Sequence, residues 1–147
     1  MGKYYFLPHT ADEKFEVLAD DLEDAFKTSV DAFYEILLGK QFRRSRTVSR
    51  KIVLRAKKLR TLLYDFLNEL VFYFDDEDLL LFIVEDLIIR KETTDDPEII
   101  DWVLEAKLNG DKTSDYELLT EIKNITYSEM EIVQNAEGVR LVVVVDI

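Results

Sequence analysis

At 147 residues, 48% of them hydrophobic, the chain is long enough for a single domain (residues 1–147) with its own core; lacking cysteine, it can form no disulfide, thiolate metal site or thiol nucleophile. Nineteen basic residues against thirty-one acidic ones leave a formal net charge of −12, so the average surface repels nucleic acid. No stretch approaches the roughly 20 apolar residues of a membrane span and no apolar leader opens the chain, so the expectation is a soluble, cytoplasmic protein without a membrane partner.

Lys3 to Leu7 is aromatic and apolar, a short strand. Pro8 to Asp12 forms a loop into a second strand, where Phe15, Val17 and Ala19 alternate with polar or outward-facing residues. The period then changes. Leu22, Ala25, Phe26, Val30, Phe33, Ile36 and Leu37 make a helical stripe, with Asp20 and Glu23 as a capping box and Gly39 as the C-cap. Alternation returns at Val48, Ile52, Leu54 and Ala56, with Arg50 as the exception on that face.

A second helix follows, its stripe made by Leu59, Leu62, Leu63, Phe66, Leu67, Leu70, Val71 and Phe74. Asp75 to Asp78 would oppose the helix dipole, which predicts a solvated turn there. Leu79 to Glu92 is a strand or bulged strand, closed by a turn at Pro97. Ile100, Trp102, Leu104, Ala106 and Leu108 alternate up to a turn at Asn109-Gly110-Asp111, and Ser114 to Lys123 is ambiguous, compatible with a helical turn. The last segment is a hairpin across Asn135 to Gly138. The sum is α+β: two amphipathic helices packed on a mainly antiparallel sheet of about seven strands.

Little of this sequence suits catalysis. His9 is the sole histidine; Thr10 and Asp12 are too near it in sequence for an ordinary triad, and a backbone hydrogen bond in a strand-entry loop is the plain alternative role. The four glycines form no phosphate-binding loop, and Phe74 to Asp78 lacks the glycine and distal glutamate of an EF-hand. Oxygen donors remain. If the last strand lies beside an early one, Asp12 comes near Asp146 and the terminal carboxylate of Ile147, a set suited to Ca²⁺, Mg²⁺ or Mn²⁺ rather than Zn²⁺. The alternative is a pair of solvated strand ends.

Ten of the nineteen basic residues fall between Lys40 and Arg60, with no acid among them. Arg43, Arg44, Arg46, Arg50 and Lys51 could contact a nucleic acid or a partner; equally, the segment could fold back onto the acidic faces.

Four motifs bring a family into view. His-Thr-Ala-Asp (His9 to Asp12) opening a strand resembles the start of archease, the accessory protein of the RNA ligase that joins tRNA halves. Leu62 to Leu70 (LLYDFLNEL) resembles a family helix, Glu121 to Ile132 (EIKNITYSEMEI) is similar to a family segment built on Glu-Ile-Lys-Ala-Val-Thr-Tyr, and the chain closes on Asp-Ile. The resemblance implies an α+β fold and a divalent-metal site, usually described with calcium, at Asp12, Asp146 and Ile147. It implies a functional lysine at Lys123, with His9 a further candidate for ligase activation. A counter-ion to the acids is the other reading of Lys123. It implies no catalysis by the chain itself. The partner would be a GTP-dependent RNA-splicing ligase, with tRNA met indirectly or transiently, and the effect would be faster guanylation and repeated turnover. Asn124 stands where the family usually has alanine, Ser128 where many members have histidine, and Gly110 to Leu119 is a degenerate version of a family glycine-glutamate segment.

Overall fold

The computed structural model describes residues 2–9 and 12–147. Seven strands and two helices occur in the order β1 (Lys3–Leu7), β2 (Glu13–Ala19), α1 (Leu22–Leu38), β3 (Val48–Ala56), α2 (Leu59–Glu77), β4 (Leu79–Thr93), β5 (Ile100–Lys112), β6 (Asn124–Asn135) and β7 (Gly138–Asp146). The strands divide into two antiparallel sheets, β1-β2-β7-β6 and β3-β5-β4. Both helices touch both sheets, so one continuous core joins Phe15, Val17, Leu141, Val143 and Val145 of the first to Ile52, Leu104 and Leu108 of the second.

Helix α1 is buried on most of its circumference, as a helix pressed between two sheets must be. Its cap is one residue later than expected: Asp21 Oδ1 accepts from the Asp24 N–H at 2.8 Å, while Glu23 instead receives the Ile89 N–H of β4 at 3.2 Å. Gly39 ends the helix at φ 90°, its N–H reaching Glu35 O, as its position predicts.

Helix α2 does not stop before the acids. Asp75, Asp76 and Glu77 remain helical and Asp78 takes the left-handed cap conformation, φ 55°. An exposed acid in a last turn costs about 0.3–1 kcal/mol against the dipole, which is small beside the backbone hydrogen bonds kept by running on to β4, whose first four residues are buried.

The Asn109-Gly110-Asp111 turn is not formed either. These residues continue β5, Gly110 beside Val48 and Asp111 beside Leu80. A Cβ at position 110 would overlap the Leu80 carbonyl, so glycine is there for close strand approach and not for a turn. Asp111, 3% exposed, is satisfied by Thr47 Oγ1 at 2.6 Å and the Lys112 N–H at 2.8 Å. Strand β4 carries the expected irregularities, between Leu80 and Ile83 and between Glu85 and Ile88. At the first, the Leu81 N–H leaves the ladder and donates to the hydroxyl of fully buried Tyr34 at 2.8 Å. Of the segment Ser114 to Lys123, only Ser114 and Asp115 are helical, as part of a short 3₁₀ turn at Thr113–Asp115 before β6.

Candidate functional site

Strand register brings the predicted acids to one end of the first sheet. β2 pairs Glu13 with Val145, so Asp12 and Asp146 are the next residues beyond that pair at the same end of the sheet. From the other side, β6 pairs its first residue, Asn124, with Asp146. The Lys123 N–H donates to the Asp146 carbonyl at 2.8 Å, and the Asn124 amide reaches Asp146 Oδ2 at 3.5 Å. Ile147 packs its side chain on the core, so the last backbone atoms are fixed from two directions. Asp12, Asp146 and Ile147 are all half-buried. Thr10 and Ala11 of the His-Thr-Ala-Asp motif lie outside the described residues.

His9 faces two carboxylates rather than backbone. Its Nε2 lies 3.4 Å from Glu129 Oε1, and its Nδ1 lies 3.9 Å from Asp12 Oδ2, shielded from solvent and without a hydrogen-bond partner among the described residues. Glu129 arrives there because β6 is irregular: Thr126 pairs with Val144 but Glu131 pairs with Val142, which leaves residues 127–130 outside the ladder. The first turn of α2 braces that segment. Tyr127 shares a 3.0 Å hydrogen bond with Thr61, and the Arg60 guanidinium stands 4.5 Å over its ring. The Thr61 hydroxyl, with Arg60 and Lys58 nearby, draws the Tyr127 phenol below its usual pKa.

Among the described residues, no three His, Asp or Glu side chains converge closely enough to hold a metal ion unaided. For a hard cation, Asp12 and Asp146 would supply two oxygen donors, and a third would have to come from the main chain or from the carboxylate of Ile147. Lys123 is exposed and joins no ion pair among the described residues.

The basic segment is elsewhere, and its arginines from 43 to 50 are paired with acids. Arg43 pairs with Asp111 at 3.7 Å, Arg44 with Asp31 at 3.8 Å, Arg46 with Glu85, and Arg50 with Glu77 at 3.1 Å. Lys51, opposite Lys107 across β3 and β5, has no such partner among the described residues. For the four arginines, folding back onto acidic faces is the observed arrangement.

Comparison with known proteins fixes the lineage. The model of the archease protein family (MTH1598/TM1083) matches residues 4–147. The chain belongs to the archease family. It is 32% identical to the protein archease of Methanosarcina barkeri over 99% of this chain and 97% of that one, and 29% identical to that of Sulfurisphaera tokodaii with both chains wholly covered. The fold matches the solution structure of Methanobacterium thermoautotrophicum protein 1598 with a TM-score of 0.74, at 23% identity over 98% of each chain.

Within this archease, Glu129 is the residue of the tip that pattern reading missed. The signal was present. Buried positions of β6 change parity, from Ile125 to Met130, and a strand can do that only through a bulge.

Proposed function

We propose that this archease is a non-catalytic accessory protein that activates a GTP-dependent RNA-splicing ligase, promoting its guanylation and multiple turnover through the tip that carries Asp12 and Asp146. What supports this reading is the β2–β7 register, whose Glu13–Val145 pair puts Asp12 and Asp146 at the same end of the sheet, with His9 near Asp12 and Glu129. Asp12, Asp146 and the carboxylate of Ile147 would hold a divalent ion, calcium first and magnesium or manganese as alternatives. Such an ion supplies neutralisation of negative charge at a phosphoryl centre. The chain's own residues do the positioning. The Lys123 N–H and the Ile147 side chain hold the end of β7 in place, and the exposed side chain of Lys123, without an ion pair among the described residues, would meet a phosphate or a carboxylate of the partner. The acidic tip complements a ligase that binds RNA through basic residues, and such complementarity raises association rates.

The competing reading, RNA binding through Arg43, Arg44, Arg46, Arg50 and Lys51, has less support, because four of these five already hold acidic partners. The deciding experiment is an RNA-joining assay with the cognate ligase, GTP and Mn²⁺, with RNA in excess and the archease below the ligase concentration. Turnover raised by the wild type and not by Asp146→Ala or Asp12→Ala is expected. Stimulation that survives both substitutions would overturn the role of the tip.

A further inference from the structure

Away from the tip, the solvent face of α2 breaks the rules that make a helix comfortable. Asp65, Glu69, Phe72 and Asp76 recur at spacings of four, three and four, one stripe of the helix surface. Asp65 and Glu69 are like charges one turn apart, which weakens a helix. Neither has a cationic partner among the described residues. Burial holds both carboxyls above their ordinary range, and at Glu69 the charge of Asp65 adds to the effect. Phe72, 46% exposed, stands between these acids and Asp76. Departures from local consistency of this kind collect at functional sites.

The same residues line an open groove of about 510 Å³, whose apolar walls are Leu54 of β3 with Tyr64 and Phe72, and whose polar wall is Asp65, Asn68 and Glu69. Aromatic faces beside carboxylates are the chemistry of cation recognition, and the apolar walls add room for a side chain without charge. Polyanions are poor occupants: two unpaired carboxylates repel a nucleic-acid phosphate or an anionic lipid. A second copy of the chain is disfavoured too, since each copy carries −12 and four arginines of its basic segment are already engaged.

We infer that this groove is a docking site for a basic protein segment, one that lays an aliphatic side chain against Tyr64 and Phe72 and sets a lysine or arginine between Asp65 and Glu69. The inference goes beyond the accessory role at the tip and does not rest on it. It makes α2 a second contact surface, recognising a cationic and apolar sequence by charge and shape together.

The test is a titration of ¹⁵N-labelled protein with a capped Leu-Arg-Leu-Lys-Leu-Arg peptide, and with a Ser-Arg-Ser-Lys-Ser-Arg control of the same charge. Saturable shifts confined to Leu54 and to the Tyr64–Phe72 turns are expected. The serine peptide should bind about tenfold more weakly, as should Glu69→Lys and Phe72→Ser with the leucine peptide. Phe72 is exposed and Glu69 partly so, and unchanged β7 amides will show that the variants fold; Asp65→Asn is the milder third variant. Glu69→Lys should also melt no lower than the wild type, because it replaces a repulsive pair with an attractive one. No binding, shifts scattered over the acidic surface, or equal affinity for the two peptides would overturn the inference.

Discussion

Tyr34 shows how one side chain secures a whole strand. The irregularity in β4 takes the Leu81 N–H out of the ladder, and the buried Tyr34 hydroxyl accepts it. Tyr34→Phe keeps the ring contacts to Phe33 and Phe82 and removes only that acceptor. The expected loss is about 1–3 kcal/mol, the cost of an unsatisfied buried donor, read from urea denaturation. Asp111 gives the opposite kind of test, through pH. Hydrogen bonds from Thr47 and from the Lys112 N–H hold its carboxyl below the usual range, so the folded state binds that proton less readily than the unfolded one. Its contribution is present above the ordinary carboxylate pKa and fades as pH falls through the lowered one. Asp111→Asn should therefore flatten the fall of the urea midpoint on acidification below about pH 4, and an unchanged slope would remove Asp111 from the account. Neither role was legible beforehand. Asp111 was hidden in what looked like a turn, because Asn-Gly-Asp has strong turn chemistry and only the nearness of Leu80 on β4 explains the glycine.

At the scale of elements, periodicity carried the assignment and local electrostatics misled it. The stripes of α1 and α2 and the Asn135–Gly138 hairpin are where the apolar pattern placed them. The acids after Phe74 were read as a turn because they oppose the dipole, yet α2 keeps them. That choice has a measurable cost. No basic residue occupies the last turn of α2, and Asp75 is held above its usual range by burial and by neighbouring Asp76 and Glu121. Asp76→Lys relieves both the repulsion and the dipole conflict at an exposed site. A gain of about 0.3–1 kcal/mol is expected in chemical denaturation, shrinking at high salt. The division of the strands into two sheets could not be read from the pattern, since alternation reports which face is buried and not which neighbour lies alongside.

Across the whole molecule, the tip exists because distant parts of the chain meet. The β2–β7 register brings Asp12 and Asp146 to one end of the sheet, and Glu129 is delivered by a break in β6; the sequence reading named the first two and missed the third. The end of β7 is held by the Lys123 N–H on one side and by the packed Ile147 side chain on the other. An anchored chain end is a firm place for a carboxylate, and that is the reason to ask whether Ile147 donates to a metal. Extending the chain by two glycines after Ile147 separates the possibilities. The side chain stays where it packs, so the fold and melting temperature should hold, but the carboxylate moves away from Asp12 and Asp146. If it is the third donor, calcium affinity measured by calorimetry should fall by at least about tenfold, since even outer-shell changes cost that much at metal sites. Asp146→Asn should lower it similarly. Unchanged affinity in the extended chain, with loss in Asp146→Asn, would leave two side-chain carboxylates and main-chain oxygens as the donors. Unchanged affinity in both would place any metal elsewhere and leave the acidic tip with docking as its only role.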